Sequence, residues 1–410
     1  MLRYHRLLAT LLIAFAFTGA LSPARAAWHE ASSDHFVIYA DDSEKDIRRF
    51  AENLERYHSA MEYLLSRKVE KPSPSNRVTI FVVGSGREVR KIAGPNARNI
   101  AGFYIPRAGA SRAFVQDIRN KNGYPDFSTI VLMHEYAHHF LLSSSRFALP
   151  RWMSEGAAEF FAASSFEKDG SVFLGRPAQH RGAELFYAAD VSIEELLDYQ
   201  LYRENKGRRY DAFYGRSWLL YHYLTFNEER FGSLARYTGH LFDGKNSLEA
   251  AMAAFGDLSQ LEKELDAYQR TRNWKAFNLG PDKLRASEVT MRRLPKGEAA
   301  MMKVRMKSQR GVTRAQAIDL VEDARKVAAK FPNDAGVLAA LAEAEHDAGN
   351  DDAAIAAADK AIAIDPTRTN AYVQKGYSLF RKARKAEDKD AAYKRAMRPF
   401  SALNKIENDH

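Results

Sequence analysis

The sequence predicts an α+β protein in which a small mixed sheet is followed by a mainly helical region and then by an all-α array of helical hairpins. Two β-branched runs near the N-terminus, 35–40 and 77–83, indicate strands. From residue 126 onward the apolar spacing is that of helices, and no further strands are expected. Past about residue 285 alanine-rich helical hairpins follow. The predicted parts are therefore 27–125, 126–285 and 286–410.

The first of these parts is expected to hold a sheet beside one long helix. Helical spacing of apolar residues covers 41–65. Two further strands, 101–105 and 112–116, are separated by a Pro- and Gly-containing segment that is typical of a hairpin. We expect strand 112–116 to form the exposed edge of this sheet.

Residues 1–26 have the pattern of a secretory signal peptide. Two arginines precede an apolar stretch at 7–20, and Pro23-Ala24-Arg25-Ala26 supplies a small-residue cleavage site. We expect cleavage after Ala26 and a periplasmic or secreted protein. No second stretch is long enough to cross a bilayer, so membrane insertion after signal removal is not expected.

The composition limits the chemistry that the chain can perform. There is no cysteine among the 410 residues, which excludes disulfides, a lipoprotein anchor and thiolate metal sites. Any metal must be held by His, Asp or Glu. An exported protein without disulfides fits the bacterial periplasm. The net charge of +9 is dispersed without a basic block or nucleic-acid motif, so no nucleic-acid partner is predicted.

The apolar run 130–141 contains His134-Glu135-x-x-His138 and predicts a buried helix over 127–142. On a helix the two histidines share one face, so their imidazoles can bind the same ion. Glu135 lies one step round, where it can reach a water on that ion rather than the ion itself. The spacing is that of zinc-dependent hydrolases. It also arises by chance in helices whose histidines merely face one another.

A third ligand is predicted on a second helix, 150–163, which has Pro in its first turn. Zinc held by two histidines needs a third protein ligand and leaves one position for water. Glu155 and Glu159 lie one turn apart on an otherwise apolar helix, where carboxylates are costly unless paired. We assign Glu155 to the metal and Glu159 to the outer N–H of a ligand histidine. The sixteen residues between His138 and Glu155 allow the two helices to pack antiparallel.

The two segments together, His134-Glu135-x-x-His138 and Trp152-Met153-Ser154-Glu155-Gly156-x-Ala158-Glu159, resemble the gluzincin metallopeptidases, the group of thermolysin and the membrane-alanyl-type aminopeptidases. The resemblance extends to bacterial peptidase-MA-like proteins that carry tetratricopeptide repeats. It implies a Zn²⁺ cofactor bound by His134, His138 and Glu155, Glu135 as general base, and a peptide or protein substrate. The spacing is shorter than in aminopeptidases and a Gly-x-Met-Glu-Asn motif is absent, so exopeptidase action is not implied.

Members of this group use a downstream Tyr or His to stabilise the oxyanion. Tyr210 and Tyr214 are the candidates here, on one helical stripe with Trp218, and we favour Tyr214. The alternative interpretation of the stripe is an aromatic core. His139 points off the ligand face, and His222 is more typical of a core or surface histidine than of a ligand.

Residues 286–410 resemble a tetratricopeptide-repeat array. Pro332 and Pro366 are 34 residues apart, the length of that repeat, and Gly349 falls at its turn. Residues 313–331 would form part of a preceding repeat, and 372–402 a following one. An alanine-rich helical bundle would stack in the same way. A short array of this kind is expected to dock a protein partner or to stabilise the catalytic part.

Three functions fit the sequence. The first is an exported zinc metallopeptidase, which the acid Glu135 beside the first histidine favours. The second is a periplasmic repeat-containing binding or scaffold protein with a structural or vestigial zinc site, which would need the ligands but not Glu135. The third is a cell-wall hydrolase acting on peptidoglycan stem peptides, which the sequence does not separate from a protein peptidase.

Overall fold

The computed structural model describes residues 27–94, 97, 100–107, 109–118, 123–145, 148–207 and 210–407. The predicted signal peptide lies outside these residues. Within them the fold is α+β, as predicted. The strands are β1 His29–Ser32, β2 Phe36–Ala40, β3 Val78–Val83, β4 Phe103–Ile105, β5 Arg112–Gln116, β6 Ser165–Phe166, β7 Val172–Leu174, β8 Phe277–Leu279 and β9 Thr290–Arg293.

Helices make up most of the rest of the chain. Those of the first two parts are α1 Glu44–Leu65, α2 Gly86–Ala93, α3 Phe127–Ser144, α4 Arg151–Ala162, α5 Gly182–Tyr187, α6 Ile193–Leu197, α7 Tyr199–Asn205, α8 Phe213–Phe226, α9 Ser233–Phe242, α10 Ser247–Phe255 and α11 Leu258–Gln269. Short 3₁₀ turns cover Gln179–Arg181, Glu228–Arg230 and Pro281–Lys283. Among the described helices, none combines the length and the apolar character needed to cross a membrane.

Six strands form one mixed sheet in the order β4-β5-β3-β2-β1-β9. β2, β3 and β5 are parallel neighbours, whereas β4, β1 and β9 pair antiparallel. The parallel pairs follow from the connections, because α1 crosses from β2 to β3 and α2 follows β3. The central strands are buried on both faces, and helices therefore cover both sides of the sheet.

The edge strand beside α3 is β4, so the prediction that strand 112–116 forms this edge is wrong. β5 pairs with β3 on one side and with β4 on the other, and its central residues Ala113, Phe114 and Val115 are all buried. A strand that is apolar on both faces is stable inside a sheet. The three-residue, half-buried β4 takes the exposed edge.

Strands also continue past residue 126, contrary to expectation. β6, β7 and β8 form a second, three-stranded antiparallel sheet. β9 pairs with β1 in the main sheet, with Met291 opposite Ala31, although it lies beyond the predicted boundary at residues 285/286. These strands are two to four residues long, too short to show the alternation that marks a strand. β8 and β9 in addition pair with strands more than 100 residues earlier in the sequence, so no local pattern identifies them.

The C-terminal helices are α12 Lys296–Arg310, α13 Arg314–Lys330, α14 Ala335–Asp347, α15 Asp351–Ile364, α16 Thr369–Ala383 and α17 Lys389–Leu403. The predicted turn between α14 and α15 is present, and Gly349 adopts a left-handed φ of 74° there. Small side chains, such as Ala342 and Ala358, form the core between these helices. On α12, Met302 and Met306 pack against the sheet instead.

The start of α3 is fixed to the sheet, and this positions His134, Glu135 and His138 further along the helix. Asp126 caps the helix by accepting from the backbone N–H of Ser128 at 2.8 Å. The Ser128 hydroxyl in turn donates to the carbonyl oxygen of Gln116 at the end of β5, also at 2.8 Å. From this anchor, α3 runs through the main core, where Met133 and Phe140 are buried.

Candidate metal centre

α3 and α4 bring His134, His138 and Glu155 together. The Nε2 atoms of the two histidines are 3.1 Å apart. Glu155 Oε2 lies 3.4 Å from Nε2 of His134 and 3.2 Å from Nε2 of His138. In the described part of the chain, this is the one group of three or more His, Asp or Glu side chains whose ligand atoms converge in this way.

These separations fit one tetrahedral metal ion. Two donor atoms that each lie about 2.0–2.1 Å from zinc, at the tetrahedral angle, are about 3.3 Å apart. The three observed distances, 3.1, 3.2 and 3.4 Å, agree with that value within about 0.2 Å. Imidazole and carboxylate donors suit zinc, and three protein ligands leave a fourth position open.

Gly156, next to the third ligand, allows α4 to approach α8 closely. A Cβ atom at Gly156 would lie 2.3 Å from the carbonyl oxygen of Ser217, so any side chain would separate the two helices. α4 is also anchored by Trp152, which is fully buried and donates from Nε1 to the Tyr237 hydroxyl at 2.9 Å. Gly156 and Trp152 therefore fix α4, and with it Glu155, against α8 and α9.

Glu159 lies next to the outer nitrogen of His134, the kind of position that the sequence predicts for it. Its side chain is 1% exposed, and Oε1 lies 3.0 Å from Nδ1 of His134. His180 donates from Nε2 to Oε2 at 2.5 Å, and Arg181 donates to Oε1. Burial alone would raise the pKa of Glu159, but its contacts with His134, His180 and Arg181 hold that pKa well below its usual range. A charged carboxylate therefore faces the outer nitrogen of His134.

His180 and Arg181 were missed by the sequence reasoning. Both lie on the 3₁₀ turn Gln179–Arg181, which has no periodic signature. Arg181 also donates to Glu184 at 3.1 Å, and Glu184 accepts from the backbone N–H of Gly215 at 2.7 Å. This chain of contacts connects the metal cluster to the start of α8. No local spacing could have revealed it, because the partners meet only in the folded chain.

The outer nitrogen of the second histidine also has a partner. Nδ1 of His138 lies 3.1 Å from the Ser154 hydroxyl. Each outer nitrogen thus has an oxygen atom within 3.1 Å, and the Nε2 atoms point the other way, towards one another. Burial lowers the pKa of His134, but Glu155 and Glu159 outweigh it and raise that pKa to about 9. Burial raises the pKa of Glu155, and the two histidines lower it to about 2. The cluster thus favours a positive charge at its centre.

Glu135 lies beside this cluster on the side of the edge strand. It is half-buried on α3, which packs against β4. Its neighbour there is Tyr104 of β4, whose hydroxyl is buried. Burial raises the pKa of Tyr104 to about 12, and the Glu135 carboxylate adds to the rise. Among the described residues, none forms a hydrogen bond or an ion pair with Glu135, so its carboxylate oxygens remain available to a ligand or a water molecule.

The two candidate tyrosines differ in position. Tyr210 is 70% exposed and faces solvent. Tyr214 lies in the first turn of α8, where its hydroxyl accepts from Nη2 of Arg151 at 3.4 Å. Arg151 Nε is 3.8 Å from Oε1 of Glu155, so Tyr214 is the tyrosine that approaches the cluster.

The remaining histidines singled out in the sequence have other surroundings. His222 is fully buried, donates from Nε2 to the carbonyl oxygen of Gly175 at 2.9 Å, and lies 2.9 Å from the Tyr268 hydroxyl through Nδ1. Burial lowers its pKa to about 4, as expected for a neutral core histidine. His139 is exposed on α3 and its ring stacks on Tyr136. Neither faces the cluster.

The arrangement as a whole can hold a divalent metal ion with a free carboxylate beside it. The histidines and Glu155 supply three ligands, and Glu135 supplies a group that can accept a proton. A scan against models of known protein families finds no match, and a search of the curated proteins finds no relative.

Proposed function

We propose that this protein is an exported zinc-dependent metallopeptidase of the gluzincin kind, with the catalytic residues in the first two parts of the chain. One observation carries the proposal: three ligand atoms converge at tetrahedral spacing while the adjacent Glu135 carboxylate has no partner among the described residues. A purely structural metal site needs the ligands, but it has no use for a free acid at that position.

The protein's own groups supply the proton transfers and the orientation. A bound zinc ion supplies Lewis acidity, which lowers the pKa of water and polarises a peptide carbonyl. Glu135 accepts the proton of the attacking water at its carboxylate and delivers it to the leaving amine nitrogen. The Tyr214 hydroxyl donates to the oxygen on which negative charge develops. Oxygen atoms of Glu159 and Ser154 lie 3.0 and 3.1 Å from Nδ1 of His134 and His138, and these neighbours would keep both Nε2 atoms available as ligands.

The substrate is expected to lie along β4. This strand is the edge of the six-stranded sheet and packs against the motif helix. An edge strand offers unpaired backbone groups that can pair with an extended peptide. Tyr104 of β4 neighbours Glu135, which would bring the bound peptide close to the general base.

We infer that α13 to α17 form a tetratricopeptide-like module that docks a protein partner. The short turns between successive helices and the packing of each helix on the next support this interpretation. The preceding β9 and α12 pack on the main sheet, which would hold such a module against the catalytic part. The sequence pattern of residues 1–26 supports placement of the mature protein in the periplasm or outside the cell.

The test compares the zinc-loaded mature protein with its Glu135→Gln variant on casein and on a peptide library. We expect the variant to keep one zinc ion per chain and to lose turnover by about 10²–10⁴-fold, because only the proton acceptor is removed. His139→Gln, an exposed change on the same helix, is the matched control and should retain activity.

Two results would contradict the proposal. Equal turnover by the wild type and Glu135→Gln would remove Glu135 from the mechanism. Stoichiometric zinc without cleavage by either protein would favour the binding or scaffold function, with a structural zinc site.

A further inference from the structure

Arg151 is the cationic side chain next to the metal cluster. It occupies the first turn of α4, one turn before Glu155. Its Nε lies 3.8 Å from Oε1 of Glu155, the oxygen that does not face the histidines. The side chain is 33% exposed, so part of the guanidinium remains open to a ligand.

Aromatic side chains hold this guanidinium in place. Its central carbon lies 4.8 Å from the ring centre of Tyr199, 5.1 Å from that of Phe213 and 6.0 Å from that of Tyr214. It donates to the hydroxyls of Tyr199 and Tyr214. Cation–π contacts and two donated hydrogen bonds restrict the side chain to one orientation before any ligand arrives.

Arg181 also lies against the ring of Tyr214, but its hydrogen-bond partners differ from those of Arg151. Arg181 lies 4.8 Å from the ring centre of Tyr214, but it donates to the carboxylates of Glu159 and Glu184, which neutralise its charge. Arg151 donates to phenol oxygens only. In the described chain no carboxylate lies within hydrogen-bond distance of it, since 3.8 Å to Glu155 is too long. A guanidinium has five N–H donors, so donors remain for a ligand.

We propose that Arg151 binds a carboxylate of the substrate, so that the enzyme favours peptides carrying a carboxylate close to the scissile bond. The inference rests on the proposed peptidase function and adds its substrate class. A planar guanidinium matches a carboxylate in a two-bonded, charge-assisted arrangement. One extended residue spans about 3.3–3.6 Å, so a group on Arg151 lies within about two residues of a bond cleaved at the cluster. The carboxylate can come from the substrate's C-terminus or from an Asp or Glu side chain.

Peptide pairs that differ in one carboxylate test the proposal and separate the two sources. One pair compares a free C-terminus with its amide, and the other compares an internal Glu with Gln two residues from the cleaved bond. For the pair that carries the recognised carboxylate, we expect the wild type to show a kcat/KM at least about tenfold higher on the carboxylate peptide than on its uncharged partner. In Arg151→Gln that ratio should approach one, mainly through a higher KM for the carboxylate peptide. Arg151→Lys, which keeps the charge but not the two-bonded geometry, should recover part of the ratio.

Arg203→Gln is the matched control, because it removes one exposed positive charge from the neighbouring α7. Its carboxylate-to-amide ratio should equal that of the wild type. Binding of the same peptides to the metal-free Glu135→Gln protein, followed by calorimetry, gives a second readout that needs no turnover. There the carboxylate peptide should bind more tightly than its amide, and Arg151→Gln in that background should abolish the difference.

The outcomes separate this inference from the proposed function. If the wild type cleaves both members of each pair equally well, the carboxylate site is refuted and the peptidase stands. If nothing is cleaved, the peptidase proposal fails, and equal binding of acid and amide in calorimetry would refute the carboxylate site as well. A uniform loss on all peptides by a folded Arg151→Gln protein would mean that Arg151 acts only through Glu155, which also overturns the inference.

Discussion

Histidines and carboxylates lie together on both sides of α3, but they are arranged differently. On the front face, His134 and His138 point their Nε2 atoms at one another and at Glu155. On the back face, Tyr136 packs against α1, where His58 is 2% exposed. Nδ1 of His58 lies 2.7 Å from the Tyr136 hydroxyl.

A histidine–carboxylate cluster from α1 and the start of β2 lies against the back face. The rings of His35 and His58 stack 3.6 Å apart, and Nδ1 of His35 lies 2.8 Å from Oε2 of Glu55. Each of these groups faces a partner of its own, so no three ligand atoms meet at one point. Among the described residues, ligand atoms of three such side chains converge only on the front face, and binding one metal ion requires this convergence rather than a large number of histidines and acids.

The largest expected effect is the loss of metal binding when a front-face ligand is removed. His138→Ala should weaken zinc binding by more than about 100-fold, because two remaining ligands cannot replace the third, and the ion cannot then add its binding energy to folding. Competition with a fluorescent zinc chelator measures the affinity. His139→Ala, the next residue on the same helix, is the control. An affinity within a factor of three of wild type in His138→Ala would place the metal elsewhere.

Removing the negative charge of Glu159 should have a smaller effect on zinc binding and should also destabilise the fold. Glu159→Gln should weaken zinc binding by about 10–100-fold, because His134 loses the acceptor that orients it. It should also destabilise the fold by about 3–5 kcal/mol, since His180 and Arg181 would face a neutral group in a buried site. Zinc titration and urea unfolding of the metal-free proteins measure the two effects. Wild-type values in both would show that Glu159 only fills space.

His58 and Glu55, on the back-face side of α3, should make the metal-free protein less stable at acid pH. Burial lowers the pKa of His58 to about 3, so below pH 6.5 the unfolded chain binds a proton that the folded chain does not. Stability should therefore fall as the pH drops from 6.5, by at most about 1.4 kcal/mol per pH unit for this group. Below pH 4.5 the Glu55 carboxyl adds a loss in the same direction, because burial raises its pKa but the stronger contacts with His35 lower it to about 2.

His58→Phe isolates that contribution. Urea unfolding between pH 6.5 and 4.5 should give a shallower fall in the free energy of unfolding for the variant than for wild type. Equal slopes would show that His58 is not held neutral. Zinc affinity should be unchanged in the variant, which keeps the two faces of α3 distinct.

The front-face residues that lie on α3 and α4 could be predicted from the sequence. The contacts that reach them from distant segments could not. Residues His134, His138, Glu155 and Glu159 lie on two helices, and helical periodicity alone shows which of them share a face. His180 contacts Glu159 from 21 residues downstream on an irregular turn, where no period applies.

In the sheet, too, local patterns could be predicted and pairing between distant segments could not. The runs at β2 and β3 are apolar enough to be recognised alone. Strand order is decided by pairing between distant segments, so the edge position predicted for β5 is occupied by β4 instead. β9, with the sequence Thr-Met-Arg-Arg, is a strand only because β1 lies beside it.

X-ray absorption at the zinc edge of the mature protein, combined with its zinc content, shows whether His134, His138 and Glu155 bind zinc. We expect one zinc ion per chain with two imidazole nitrogens and oxygen donors at about 2.0–2.2 Å. The same spectrum is predicted for His58→Phe, whereas His138→Ala should hold well under one zinc ion per chain. A protein that binds no zinc, a spectrum without two imidazoles, or loss of the signal in His58→Phe alone would contradict the account.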